Sequence, residues 1–381
     1  MPEAKSETIL CNARIVLADE IIEGTVVIRD GRIADIEPGS SRGDDLEGDY
    51  LLPGFIELHT DALEFHYKPR PRVRWSPDAA VQQHDAQIAA SGITTVFDAL
   101  RVGLDQENDM DREDMLKLGA AIAAATSADR LRVEHFIHLR CEVSAPDCLE
   151  GFEMLKAHPQ VRLASLMDHA PGQRQFRSLD AARAYYQGKL KMSDTDFAAF
   201  LDRRNAESQT FAPAHRAAIA QFCRDHAITL ASHDDATLEH VGEAIAQGID
   251  VAEFPTTREA AQASHQAGLA VLMGAPNVVR GGSHSGNVSA SSLVEDGILD
   301  ILSSDYIPFS LMQAVFALGA GDRSVSLPDA VRLVSKHPAE AAGFDDRGEI
   351  AIGRRADLVR VRLSEGLPVV RTVWREGQRV V

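Results

Sequence analysis

The sequence predicts an α/β protein: a (β/α)8 barrel of parallel strands accompanied by a small β domain formed from both chain termini. Three observations carry this expectation. Eight short apolar runs occupy the middle of the chain, several of them separated by helix-like stretches, the βα alternation of a parallel sheet. Several of those runs finish in histidine, aspartate or glutamate, as strands do where a barrel carries its active site. The first and last segments follow a different pattern, β-branched runs broken by tight-turn dipeptides.

The opening segment ILCNARIVLADEIIEGTVVIRDGRIADIEPG, residues 9–39, reads as antiparallel hairpins turning at DG and PG. GEIAIGRRADLVRVRLSEGLPVVRTVWREGQRVV, residues 348–381, reads the same way. Residues 1–52 and 346–381 are therefore expected to form the small domain, with residues 53–345 forming the barrel. The eight barrel strands are expected in LLPGFIELHTD, GITTVFDAL, RVEHFIHLRCEV, VRLASLMDHAPG, AITLASHDD, GIDVAEFP, GLAVLMGAPN and LDILSSDY. Stretches such as PAHRAAIAQFCRDH and REAAQASHQAG supply intervening helices. Residues 172–212 are polar, helical and too long for an ordinary βα loop, and are expected to be an insertion that covers the site.

Composition narrows the function classes. A chain of 381 residues with 45% hydrophobic content can bury a large core. Its longest apolar stretches, such as LGAAIAAAT, fall far short of the roughly 20 residues that cross a bilayer, and MPEAKSETIL lacks the layout of a secretion signal, so no membrane association and a cytoplasmic location are expected. The four cysteines show no CxxC pairing and are expected to be free thiols. A formal charge of −18 argues against nucleic acid as a partner, and any anionic substrate must meet local positive charge. GxxxxGK[ST] and HExxH are absent, as are a GxGxxG after the first strand and a GxSxG nucleophile elbow among the barrel runs.

The strand ends ELHTD, HLRCEV, SLMDHAPG, ASHDD and SSDY bring His59, Asp61, Glu142, Asp168, His169, His233, Asp234 and Asp305 toward one mouth. A single histidine ending a strand is usually structural; five strands ending alike point to a divalent metal. Imidazole and carboxylate without thiolate suit a catalytic rather than a structural site. Two further motifs suit phosphate. Arg280, Gly281, Gly282, Ser283, His284 and Ser285 in RGGSHSGN offer a cation, hydroxyls and glycines that let backbone amides approach an anion, unless the stretch is an ordinary surface turn. Arg70 and Arg72 in KPRPRVRW match phosphate oxygens in bidentate fashion, or form a solvated edge. Glu64 and His66 are either partners that orient His59 or contacts to substrate.

LLPGFIELHTD, a histidine after later apolar runs and the aspartate of SSDY resemble the metal-dependent amidohydrolase superfamily, which implies a TIM-like barrel with a flanking β-sandwich. More closely, HTDALEFH, PRPRVRW, GITTVFDAL, LRCEV and APNVVRGGSHSGNVSA resemble the diphosphatases of phosphonate metabolism in the carbon–phosphorus lyase pathway, over nearly the whole chain. The resemblance implies hydrolysis of α-D-ribose 1-methylphosphonate 5-triphosphate, a small phosphorylated substrate, to the 5-phosphate and pyrophosphate. It implies His59, Asp61, Glu142, His169 and His233 as metal ligands, with Asp305 as proton shuttle and further ligand. Asp61 stands where the superfamily usually has the second histidine of HxH, and Glu142 where members often carry a carboxylated lysine. Two divalent ions are implied, Zn2+ favoured and Mn2+ the alternative because a carboxylate replaces a histidine. The alternative activity within the superfamily is cleavage of an amide or cyclic C–N bond. A homo-oligomer is expected by analogy with such barrels.

Overall fold

The structure is a computed structural model, which describes residues 7–39, 41–103, 110–171, 173–174, 183, 186–188, 191–283, 286–319 and 325–381. Strands β1 (Glu7–Val16), β2 (Ile21–Arg29), β3 (Arg32–Pro38), β4 (Asp44–Asp45) and β5 (Tyr50–Pro53) open the chain. The DG turn between β2 and β3 holds Asp30 at φ 52° and Gly31 at φ 77°, the doubly left-handed geometry whose twist suits a two-residue hairpin.

The barrel strands follow: β6 (Phe55–Thr60), β7 (Ile93–Val102), β8 (Glu134–Glu142), β9 (Val161–Met167), β10 (Thr229–His233), β11 (Val251–Glu253), β12 (Ala270–Gly274) and β13 (Ile301–Ser303). Each pairs in parallel with the next; seven fall within the runs expected from the sequence, and β7 extends two residues beyond GITTVFDAL, to Val102. The seam between β13 and β6 closes through a parallel bridge between Thr60 and Asp305, where Asp61 N donates to Asp305 O at 2.8 Å and Asp305 N to His59 O at 3.1 Å.

Ile56, Leu58, Phe97, Leu163, Ala231, Val251, Leu272 and Ile301 fill the lumen. Phe136 of β8 packs against them, and because side chains alternate along a strand, residues an even number of places beyond such positions face the lumen's upper end. That parity aims Arg101 on β7, Arg140 and Glu142 on β8, His233 on β10 and Glu253 on β11 toward the mouth. The pairing of β6 with β7 is irregular between Glu57 and Thr60, a local kink of the kind that re-aims side chains beside a site.

The helices connecting the strands include α1 (Ala62–Tyr67), α2 (Pro77–Ala90), α3 (Arg112–Ser127), α4 (Cys148–Leu155), α5 (Asp194–Asp225), α6 (Leu238–Gln247), α7 (Arg258–Gln266), α8 (Ala275–Arg280), α9 (Ala290–Glu295), α10 (Ser310–Gly319), α11 (Leu327–Arg332) and α12 (Lys336–Ala341). α5 starts at a capping box between Ser193 and Asp196 and continues well past residue 212. Parts of the expected insertion, residues 172, 175–182, 184–185 and 189–190, lie outside the described residues.

Strands β14 (Leu358–Ser364), β15 (Leu367–Arg375) and β16 (Gln378–Arg379) return to the opening strands and complete one mostly antiparallel sheet of order β16-β15-β14-β5-β1-β2-β3, with β4 beside β1. Leu10, Ile15, Val26, Leu51, Leu358 and Trp374 are part of its core. The four cysteines are buried and free. No helix among the described residues is long and apolar enough to cross a membrane.

Candidate metal centre

Two groups of side chains that could hold a metal ion meet at the barrel mouth. His59, Asp61 and Asp305 form one; His169, His233 and Asp234 form the other, and within each group one candidate ligand atom per residue lies within 4.8 Å of the rest. Their positions follow from the strands: His59 lies at the end of β6, Asp61 just before α1, His233 at the end of β10 with Asp234 next to it, His169 after β9 and Asp305 after β13. Asp234 and Asp305 hold left-handed backbone, φ 58° and 55°, a conformation that aspartate tolerates better than most residues and that clusters at functional sites.

The histidines are oriented from behind. Glu253 Oε1 accepts the Nδ1 proton of His59 at 2.8 Å, and Glu253 Oε2 that of His233 at 2.9 Å. Glu142 Oε2 takes the Nδ1 proton of His169 at 2.7 Å. A ring anchored at Nδ1 keeps its lone pair on Nε2, the form in which imidazole binds a metal. The Nε2 atoms of His169 and His233 lie 3.8 and 3.7 Å from Asp234 Oδ2. Nitrogen and oxygen donors without thiolate, imidazoles already in the ligand tautomer and three adjacent carboxylates fit a first-row divalent ion.

Glu142 lies outside both groups. Besides His169 it accepts from Ser144 and from Arg204 Nη2 at 3.3 Å, so in this arrangement it orients a histidine and receives the insertion helix α5. Asp168 is held the same way, by Ser208 of α5 at 2.7 Å. Glu253 was not among the sequence candidates, although VAEFP ends a barrel strand as ASHDD does.

Two arginines missed from the sequence also face the mouth. Arg140 Nη1 lies 2.7 and 2.6 Å from the two oxygens of Asp61. Burial by itself would raise the Asp61 pKa, but the charge of Arg140, with that of Arg101 behind it, outweighs burial and holds it below the usual range. Burial, then the charges of Arg140 and Arg101, push His59 down to about 3, and burial lowers His233 to about 3, so both rings stay neutral. Burial, then the Asp61 charge, raise Asp305 to about 7, and burial lifts Asp234 to about 6. One carboxylate near neutrality beside one firmly ionised partner is how a site separates a proton carrier from a fixed charge.

The phosphate candidates are placed less centrally. Arg280 ends α8, which follows β12 directly, and is exposed. The amides of Gly281 and Gly282 donate to Val278 O at 3.2 Å and Asn277 O at 2.9 Å, closing the helix end, so the loop offers an anion its side chains rather than these two amides. Ser283 is half-buried; His284 and Ser285 lie outside the described residues. Arg70 and Arg72 are exposed on a short turn bridged between Arg70 and Val73. His66 Nε2 meets Gln87 Oε1 at 2.7 Å.

Comparison with known proteins gives a consistent assignment. A profile of the amidohydrolase family matches residues 78–381. The chain is 47% identical, over 98% of its length and 100% of the other's, to an alpha-D-ribose 1-methylphosphonate 5-triphosphate diphosphatase of Escherichia coli (strain K12). Among solved structures it is similar to a 5-methylcytosine deaminase from Klebsiella pneumoniae (TM-score 0.63, 14% identity, 98% of each chain covered). It is similar also to an N-acetylglucosamine-6-phosphate deacetylase from Pasteurella multocida (TM-score 0.62, 13% identity, 98% of this chain and 99% of that one). At such identities these two likenesses speak for the fold.

Proposed function

The chain belongs to the amidohydrolase family, and from that premise we propose that it hydrolyses α-D-ribose 1-methylphosphonate 5-triphosphate to the 5-phosphate and pyrophosphate. The observation that carries the proposal is the full-length match at 47% identity to a diphosphatase of that substrate. The paired ligand groups support two divalent ions, Zn2+ or Mn2+, held by His59, Asp61 and Asp305 and by His169, His233 and Asp234, with Glu142 adjoining the second group. When bound, the ions supply Lewis acidity toward phosphoryl oxygens and activate water for attack.

The chain's own residues do the rest. Asp305, after β13 at the barrel mouth and grouped with His59 and Asp61, is suited by its position to accept the proton of the attacking water and pass it on. Asp61 stays ionised beside it under the charge of Arg140. In a protein of charge −18, Arg101, Arg140 and Arg204 gather positive charge around the ligand groups, where a triphosphate needs it. We assign Arg280 and Ser283, beyond β12, and Arg70 and Arg72, after α1, to the outer phosphates, with His66, His284 and Ser285 as further candidates; Gly281 and Gly282, whose amides close the helix end, are not among them. We assign the activity to the cytoplasm, where such a phosphorylated sugar is retained.

Incubating the metal-loaded protein with the ribose triphosphate and assaying pyrophosphate tests this. Stoichiometric pyrophosphate with the sugar 5-phosphate is expected. Absence of pyrophosphate, with turnover of an amide or cyclic C–N substrate instead, would replace this reading by the other activity of the family.

A further inference from the structure

We propose that Glu253 is a positioning residue that joins the two metal subsites into one unit, an inference that rests on the two-ion reading above. Its carboxylate is 1% exposed, and each oxygen is committed to one ring: Oε1 to His59 at 2.8 Å and Oε2 to His233 at 2.9 Å. His59 belongs to the group with Asp61 and Asp305, and His233 to the group with His169 and Asp234. One carboxylate therefore sets the tautomer and ring angle of a ligand in each subsite. Glu142, by contrast, orients His169 alone.

A third ring is near enough to compete and does not. His138 Nδ1 lies 3.9 Å from Glu253 Oε1, but it bonds Leu58 O at 3.1 Å while its Nε2 meets Ser165 Oγ at 2.9 Å. Both ring nitrogens of His138 are thus spent within the lumen, and Glu253 is left to serve His59 and His233.

The consequence follows from donor and acceptor counting. A carboxylate accepts from both rings at once; an amide of the same size accepts at its oxygen and donates at its nitrogen. A histidine facing the amide nitrogen must present its Nδ1 lone pair, which moves its proton to Nε2 and removes the lone pair that a metal requires. Glu253→Gln is therefore expected to disable one subsite, and Glu253→Ala to loosen both.

The test is titration of the metal-free protein with cobalt(II), followed by visible absorption and elemental analysis. The wild-type chain is expected to bind two ions. Glu253→Ala should weaken both binding steps by about tenfold to a hundredfold, the range for removing a carboxylate behind a ligating histidine. Glu253→Gln should weaken one step by that factor and spare the other, with thermal unfolding of its metal-free form unchanged, since it fills the same volume. An alanine variant that keeps either step at wild-type affinity overturns the proposal. So does a glutamine variant that keeps both, and this variant decides the matter if the alanine protein does not fold. A wild-type chain that binds only one ion would instead refute the two-ion reading itself.

Discussion

The barrel mouth and the space between the barrel and α2 hold the same kinds of residue and put them to different use. At the mouth, the carboxylates behind the histidines bind Nδ1 and leave Nε2 directed at further carboxylates. Outside the barrel, Asp98 of β7 lies between two rings, with Oδ1 2.7 Å from His84 Nε2 and Oδ2 2.7 Å from His135 Nδ1. His135 Nε2 then stands 3.5 Å from Asp85, whose oxygens also accept from the Arg132 and Val133 amides. One ligand atom from each of His84, Asp98 and His135 likewise lies within 4.8 Å of the others, so residue type and spacing do not separate the two regions. Charge balance and access do. The outer network pairs Asp98 and Asp85 with a protonated His135 and with Arg132 and is sealed between strand and helix, whereas the mouth gathers carboxylates in excess around His59 and His233, whose rings stay neutral.

The largest expected effect tests the outer network. Asp98→Asn leaves His135 charged and poorly paired, and should cost about 3–5 kcal/mol of stability, as removing one partner of a buried ion pair does, while metal content stays unchanged. Urea unfolding and elemental analysis measure both. A variant that loses an ion without losing stability would make the outer network a metal site and erase the contrast.

Next is Asp305→Asn at the mouth. It should fold, keep most of its metal and lose at least about a hundredfold in turnover, with a smaller change in KM. Near-normal turnover would remove Asp305 from the proton path.

The pH dependence sharpens the comparison further. Burial opposes charge on His135, but Asp98 and Asp85 outweigh it and raise its pKa from 6.5 to about 9. A raised pKa means that the folded state holds the proton more tightly. The stabilisation is complete below pH 6.5 and is lost as the pH climbs through 9, at no more than about 1.4 kcal/mol per pH unit for one proton. Urea midpoints between pH 6.5 and 9 should fall for the wild type and fall less for His135→Gln; parallel slopes would deny the outer network its charge.

The smallest effect belongs to the exposed arginines. Arg280→Ala or Arg72→Ala should raise KM for the triphosphate severalfold with little change in kcat, and the difference should shrink at high salt because exposed phosphate contacts are screened. No change in KM at low salt would return these residues to the solvated surface.

The order of the barrel strands was readable because each is a short apolar run, and the residues that gather at the mouth because HTD, MDH, ASHD and SSD end such runs. What escaped was parity. Glu253 in VAEFP and Arg140 in HLRCEV lie in step with lumen-facing neighbours, Val251 and Phe136, yet inside largely buried strands a single glutamate or arginine does not announce which face it takes. Asp98 is out of step with Phe97, and the same period-two argument would have sent it outward, toward His84 on α2. The spent amides of Gly281 and Gly282 were not readable at all: a glycine pair after a strand suits an anion cradle or a helix end equally well, and only the carbonyls of Asn277 and Val278 decide.

The terminal sheet also governs the order in which the protein can be completed. β5 leads directly into the first barrel strand, but its partner β14 comes near the end of the chain, and Asp49 meets Arg360 only after 311 further residues have been made. During synthesis the whole barrel must emerge while one edge of the opening sheet stays unpaired, with Leu51 and Leu52 still lacking β14. The last strands therefore act as a latch: their arrival converts a linear chain into a closed loop, and a ribosome that stalls before β14 leaves a barrel attached to an open, adhesive edge that invites capture by a chaperone or by another nascent chain.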